Sequence, residues 1–167
     1  MTTAIYAGSF DPFTIGHLSV IREATNIFDK TIVALAENSF KNRRIDSSLM
    51  FNAMNQVIKG CRFDNQVIVR RFQGLIADLA IEEGTAYLIR GIRNGMDYEY
   101  EESIAKVNES LGLKTIYIRA GYLSHVSSSM VMELYKYGRD ISAYVPLPVL
   151  QAIKDSNSIK LRTFQVL

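Results

Sequence analysis

The chain of 167 residues is predicted to fold as one α/β domain on an open, doubly wound sheet of five parallel strands, with helices on both faces. Three observations point there. Short apolar runs of strand length alternate with amphipathic stretches of helical period. The runs show little in–out alternation, and the segments that follow them gather Lys and Arg. Continuous apolar runs suit strands buried on both faces, as in a parallel sheet covered by helices.

Taken in order, the strands are expected at residues 3–7, 31–36, 67–69, 86–89 and 115–118. After the first, Leu18, Ile21, Thr25 and Phe28 recur at helical spacing; after the second, so do Met50, Ala53, Met54 and Val57. Leu75, Ile76, Leu79 and Ala80 follow the third, and Tyr100, Ile104, Val107 and Leu111 follow the fourth. Strand and helix thus alternate without an internal repeat, low-complexity tract or linker. One domain is expected over residues 1–158, with 159–167 as a C-terminal extension of unknown role.

Composition narrows the function classes. An apolar share of 48% with 22% charged residues argues against disorder. A net charge of +2 is too small to imply a nucleic-acid partner. Basic residues cluster instead at Lys41/Arg43/Arg44, Arg70/Arg71 and Arg90/Arg93, which suits a small anionic substrate. The single cysteine, Cys61, excludes an intrachain disulfide and a Cys-rich metal site, so a reducing, cytoplasmic setting is expected. No signal-peptide pattern opens the chain, and no run approaches the ~18 apolar residues of a membrane span.

In an open parallel sheet, ligands collect beyond the carboxyl ends of the strands near the switch in strand order. The segment after the first strand reads Gly8-Ser9-Phe10-Asp11-Pro12-Phe13-Thr14-Ile15-Gly16-His17. It is neither a G-x-G-x-x-G fingerprint nor a Walker loop, which removes a dinucleotide-dependent oxidoreductase. Gly8 and Gly16 are expected to allow close backbone approach and unusual dihedrals, and Pro12 to fix a turn. A helix opening near Gly16 offers unpaired N–H groups and a positive dipole end to phosphate, with His17 in its first turn as an added donor. Asp11 reads as a structural hydrogen-bond acceptor for the loop rather than a metal ligand.

These residues resemble the T/HxGH signature of the nucleotidyltransferase superfamily. Leu88-Ile89-Arg90-Gly91-Ile92-Arg93, followed by Asp97-Tyr98-Glu99-Tyr100-Glu101, is similar to the hallmark of its phosphopantetheine adenylyltransferase family. Val126-Ser127-Ser128-Ser129 resembles the superfamily's second signature, at a helix start. The likeness spans residues 3–153 and implies a Rossmann-like fold. It also implies adenylyl transfer from ATP to 4′-phosphopantetheine, giving dephospho-coenzyme A and pyrophosphate by direct in-line attack. Mg²⁺ is expected mainly through ATP and pyrophosphate, with no metal ligand on the chain. A homohexamer is implied by resemblance only, and coenzyme A is a further expected ligand.

By the same resemblance His17 stabilises the transition state, with Lys41 and Arg93 as catalytic partners. Ser9, Lys41, Ile76 and Arg90 are expected at the acceptor. Ser9, Phe10, His17, Gly91, Ile92, Arg93 and Glu101 are expected at ATP, together with Leu123, Ser124, His125, Val126, Ser127, Ser128 and Ser129. The residue chemistry agrees: a phosphate nucleophile is already ionised, so the work is alignment and charge stabilisation between two polyanions. Simpler roles stand beside these. Glu99, Glu101 and Glu102 suit a first helical turn, Asp97 a helix cap, and His125 a loop.

Three departures from the family pattern stand out. An acidic-acidic-arginine segment is replaced by Ser47-Ser48-Leu49-Met50, a basic residue by Met132, and the second of two lysines by Asn42. Arg43 and Arg44 are candidates to restore charge near that mouth. Two other readings stay open: a sister enzyme (a cytidylyltransferase or a nicotinamide mononucleotide adenylyltransferase), and a non-catalytic nucleotide-binding regulator.

Overall fold

The computed structural model describes residues 1–37 and 42–164, with side chains to residue 160. Strands β1 (Thr3–Gly8), β2 (Lys30–Ala36), β3 (Gln66–Phe72), β4 (Tyr87–Ile92) and β5 (Lys114–Arg119) form one parallel sheet in the order β3-β2-β1-β4-β5. The doubly wound α/β class read from the sequence is the class observed. The chain first winds outward through β2 and β3, then returns to the far side of β1. Right-handed crossovers therefore place α1 (Ile15–Thr25) and α2 (Ser47–Gly60) on one face, and α3 (Ile76–Glu82) and α4 (Gly95–Ser110) on the other.

Strand pleating splits the core into two layers. Ala4, Tyr6, Val33 and Leu35 pack with Val20, Ile21, Met50 and Met54 under α1 and α2, where α5 (Ser128–Lys136) and α6 (Leu147–Phe164) close the layer through Val131, Val149 and Ile153. Ile5, Ile32, Ala34 and Leu88 face the other way, onto Ala77, Leu79 and Ala80 of α3. Residues 159–164 continue α6 without a break.

Several local expectations shift. β3 runs to Phe72 because its ladder with β2 extends from Lys30↔Gln66 to Ala36↔Phe72. Arg70 and Arg71 are thus strand residues, with their charge met by Glu82 and Glu83 and by Glu37. Phe28 lies past α1, yet is buried beside Tyr87 at 5.8 Å between ring centroids. On α4 the apolar series points outward: Tyr100 is 67% exposed, Val107 60% and Leu111 51%. Its inward residues are Ala105 and Asn108, because Glu101 and Glu102 must turn toward Arg90 and Tyr117. No helix among the described residues is long and apolar enough to cross a membrane.

β1 and β4 pair through Ile5↔Leu88 and Tyr6↔Ile89, and the ladder stops there. Beyond it the two carboxyl ends diverge at the switch in strand order, and the site opens in that gap.

Candidate active site

A cleft of about 430 Å³ lies over the ends of β1 and β4. Its floor is Tyr6, Ala7 and Gly8, with Arg90 and Gly91; the N-termini of α1 and α5 form its walls. The first loop is shaped by an aromatic ring rather than by glycine dihedrals. Gly8 and Gly16 have no positive φ; Phe10 does, at 42°, and its buried ring lies over Gly8. A Cβ at Gly8 would stand 3.1 Å from that ring, so only glycine fits without displacing it. The Asp11–Pro12 peptide is cis. Gly91 serves a different purpose, since a Cβ there would lie 3.0 Å from Val20 and 3.4 Å from the Tyr6 hydroxyl.

Thr14 caps α1 and fixes His17 in the same motif. Thr14 Oγ1 accepts from the His17 backbone N–H at 3.4 Å, and the Thr14 N–H donates to His17 Nδ1 at 3.0 Å. This is a capping box with histidine where Glu or Gln usually stands. Because Nδ1 accepts, the neutral ring carries its proton on Nε2, the nitrogen left for a ligand. The ring stacks on Phe13 at 5.6 Å and meets Phe10 edge-on at 5.0 Å. Burial, and then the Arg93 charge, push its pKa down to about 4, so it is a neutral donor near pH 7.

Arg90, within β4, donates from Nε and Nη2 to Glu101 at 2.6 Å each, and from Nη1 to the Ala7 carbonyl at 3.0 Å. Two of its five N–H donors remain for a ligand. Glu101 sits in the second turn of α4, so a first-turn dipole role is replaced by that of an Arg90 partner. Arg93 pairs with Asp97 at 2.8 and 3.0 Å. The cap of α4 is Asn94, not Asp97: its side chain accepts from the Asp97 N–H at 3.0 Å.

The second wall is α5. Ser127 caps it by accepting from the Met130 N–H at 3.1 Å, leaving the Ser128 and Ser129 N–H groups without an intrahelical acceptor. Ser128 Oγ donates to the Pro12 carbonyl at 2.7 Å and ties this helix to the first loop. On α1 the Ile15 N–H is taken by the Tyr144 carbonyl, and Gly16 keeps the open amide. Two positive helix ends therefore converge with His17, Arg90 and Arg93 on one cleft, an arrangement suited to a polyphosphate.

The family model for cytidylyltransferase-like proteins matches residues 5–134. A phosphopantetheine adenylyltransferase of Kocuria rhizophila is 41% identical over 158 residues, covering 93% of this chain and 99% of that one. One of Cytophaga hutchinsonii is 39% identical over 149 residues, covering 87% and 97%. The chain belongs to the phosphopantetheine adenylyltransferase family. Among solved structures, nicotinic acid mononucleotide adenylyltransferase of Plasmodium falciparum complexed with NaAD shares the fold, with a TM-score of 0.69 at 14% identity over 93% and 95% of the two chains.

Of the residues expected from the family pattern, the cleft wall gathers Ser9, Phe10, His17, Arg90, Gly91, Arg93, Glu101, Val126, Ser127, Ser128 and Ser129. Others stand off it. Ile76 opens α3 against the second core layer, and Leu123 is buried in the first. Ile92 ends β4, while Ser124 and His125 are exposed, with the His125 ring 6.4 Å from Tyr144. Lys41 lies outside the described residues. Met132 packs against the apolar core, which accounts for an uncharged side chain there. Ser47 Oγ donates to Glu37, and Ser48 Oγ accepts from Arg71 at 3.3 Å, so this departure faces the ends of β2 and β3.

Asp11 is the loop anchor that its place beside Pro12 suggests. Its carboxylate accepts the backbone N–H groups of Arg44 and Ile45 at 2.6 and 2.8 Å. Sequence reasoning missed Tyr6 as a floor residue and Thr14 as the group that sets the histidine tautomer. The Thr-x-x-His spacing is a legible signal for the second, being that of a capping box. Burial raises the Tyr6 pKa, which keeps its hydroxyl neutral beneath the cleft.

Proposed function

We propose that this chain transfers the adenylyl group of ATP to 4′-phosphopantetheine, releasing pyrophosphate and forming dephospho-coenzyme A, a step of coenzyme A biosynthesis. Family membership supports the substrate pair. The observation that carries the chemistry is His17, a neutral imidazole with Nε2 left to donate between two helix N-termini. An oxygen of the acceptor phosphate attacks the α-phosphorus of ATP. The bond from that phosphorus to the oxygen bridging to the β-phosphate breaks, and pyrophosphate leaves with the electron pair.

An ionised phosphate needs no base to attack, so neither a covalent intermediate nor a titrating side chain is required. His17 donates to a non-bridging oxygen as charge builds there. Ser9 stands where the two phosphates meet. Arg90, oriented by Glu101, holds the acceptor phosphate with Lys41, while Ile76 meets the pantetheine arm. Phe10, Gly91, Arg93 and the opening of α5 take the nucleotide. Mg²⁺ enters this reading as part of the ATP substrate, shielding its phosphates.

The outward series on α4, with Met96 also exposed, supports a homo-oligomer in which a second copy covers that helix. Charge at its centre (Val107→Glu with Leu111→Glu) is expected to reduce the mass measured by light scattering; an unchanged mass would remove α4 from the interface. The free thiol Cys61 fits a reducing cytoplasm.

The activity is tested by pyrophosphate release from ATP or CTP, offered with phosphopantetheine or nicotinamide mononucleotide. Release is expected with ATP and phosphopantetheine. Turnover confined to CTP or to nicotinamide mononucleotide would move the protein to a sister activity, and binding without turnover would make it a regulator.

A further inference from the structure

The cleft continues past α5. A second cavity, of about 290 Å³, adjoins it at Ser9, Ser128 and Ser129, and its far wall is Asn42, Arg43 and Arg44. Arg44 reaches across the opening of α5. Its Nη2 donates to Ser129 Oγ at 3.1 Å and its Nη1 to the Asp11 carbonyl at 3.4 Å. Both acceptors are neutral oxygens, whereas Arg90 and Arg93 are each paired with a carboxylate. Behind it, Arg43 donates from Nε to the Ile45 carbonyl at 3.2 Å. Its Nη2 is fully buried, 3.8 Å from Asp11 Oδ1, with no hydrogen-bond partner among the described residues.

The loop that carries these arginines is held from three sides. Asp11 takes its backbone amides from the nucleotide loop. The Asp46 N–H donates to Ser156 Oγ of α6 at 3.0 Å. Lys160, one helical turn further along α6, donates from Nζ to the Arg44 carbonyl at 2.7 Å. Much of the cost of fixing this loop is thus met in the fold, and Arg44, which bonds only neutral oxygens, keeps guanidinium N–H donors beyond the two it uses at the cavity wall, with Arg43 behind it.

We propose that Arg44, backed by Arg43, is a second phosphate subsite that holds the terminal phosphates of the nucleotide, the part that leaves as pyrophosphate. Lys160 is its positioning residue. The inference rests on the adenylyl-transfer reading for the identity of the ligand, not for the site itself. Terminal phosphates are chosen over the acceptor phosphate because Arg44 bonds Ser129 at the α5 N-terminus, where free amides and the helix dipole add to its charge. A guanidinium fork also matches phosphate oxygens in pairs. The arrangement supplies charge at this end of the cleft although position 132 is methionine.

The test combines calorimetric binding of pyrophosphate with KM values for ATP and phosphopantetheine, on the full chain and on Arg44→Met, Arg44→Lys and Lys160→Ala. Arg44→Met is expected to weaken pyrophosphate binding and raise the ATP KM by roughly tenfold, the loss of a charge-assisted pair. Arg44→Lys should recover part of that. Lys160→Ala should move the same two quantities by about threefold, as for one hydrogen bond, and leave the acceptor KM alone. A rise confined to the phosphopantetheine KM would assign the arginines to the acceptor and overturn the proposal. Unchanged binding in a folded Arg44→Met chain would reduce them to surface charge. Arg44-dependent pyrophosphate binding in a chain without adenylyl transfer would keep the subsite and reject the activity.

Discussion

At the N-terminus of α1 the His17 ring is stacked on Phe13, edged by Phe10 and locked by Thr14 three residues before it. At the N-terminus of α5 the polar groups come from far along the chain: Ser128 reaches Pro12, and Arg44 reaches Ser129. The first end is dry, aromatic and local. The second is charged, open to the adjoining cavity and assembled from loops 85 residues or more apart. On the proposed reaction, the first end stabilises the transition state with a neutral donor, and the second holds charge that must later leave. Catalysis demands rigidity at the first and release at the second.

Removing the donor from the dry end should give the largest effect. His17→Ala is expected to lower kcat by a hundredfold or more, as for loss of one oxyanion donor. The fold should lose about 1 kcal/mol for the Thr14 amide left without its partner, and somewhat more for the ring contacts with Phe10 and Phe13. Steady-state kinetics with thermal unfolding checks both halves. Unchanged turnover with a large loss of stability would make His17 a structural residue and erase the contrast.

Acid sharpens the same contrast. The folded-state pKa of His17 lies near 4, below its unfolded value of 6.5, so the unfolded chain binds more protons between those limits. His17 contributes its full stability above pH 6.5, and that contribution is lost as pH falls toward 4, on the order of 3 kcal/mol in all. Glu37 and Glu83, held low first by bonds from Ser47 and Lys30, add a loss in the same direction below the ordinary carboxylate range. Denaturant titrations of the native chain and His17→Asn should diverge between pH 6.5 and 4. Parallel curves across that window would mean that the ring is not held neutral.

Much of the dry end was legible because its causes are close in sequence. Gly8 to His17 shows the turn at Pro12, the helix start and the donor, and apolar runs of strand length indicate where that segment must fall; the Thr14 cap on His17 and the aromatic cage emerge only in the structure. The doubly wound class follows from the same alternation, whereas the strand order, and with it the gap between β1 and β4, is set by long-range pairing that the alternation does not specify. The charged end was not legible in this way. Arg43 and Arg44 were visible as charges, but their bonds to Asp11, Ser129 and α6 join segments far apart in sequence, and no periodicity carries that information. The α4 series failed for a related reason. Helical spacing marks an apolar face, yet Arg90 draws Glu101 inward, so the polar side faces the sheet.

Asp11 links the two ends, and its substitution should fall between them in size. Asp11→Ala removes a carboxylate that accepts two amide bonds, expected to cost about 2 kcal/mol of stability and to loosen the loop carrying Arg44. The ATP KM should rise several-fold while His17 keeps its pKa, which a one-dimensional proton titration reads directly. A shift of His17 in this variant would show that the two ends are coupled through the loop rather than separately built.

The smallest effects come from the caps, and they compare the two ends on equal terms. Ser127→Ala and Thr14→Ala each remove one N-cap hydrogen bond, expected to cost about 1 kcal/mol apiece. Their kinetics should differ. Ser127 touches the site through a helix whose free amides remain in place, so turnover should stay within about twofold. Thr14 also keeps its hydroxyl 3.1 Å from His17 Nδ1, and its loss leaves the ring one contact fewer to hold the Nε2 proton in line. Turnover of Thr14→Ala should therefore fall further than that of Ser127→Ala at matched stability. Equal losses would mean that the aromatic cage alone sets the ring, and the capping box would then matter to the fold but not to the chemistry.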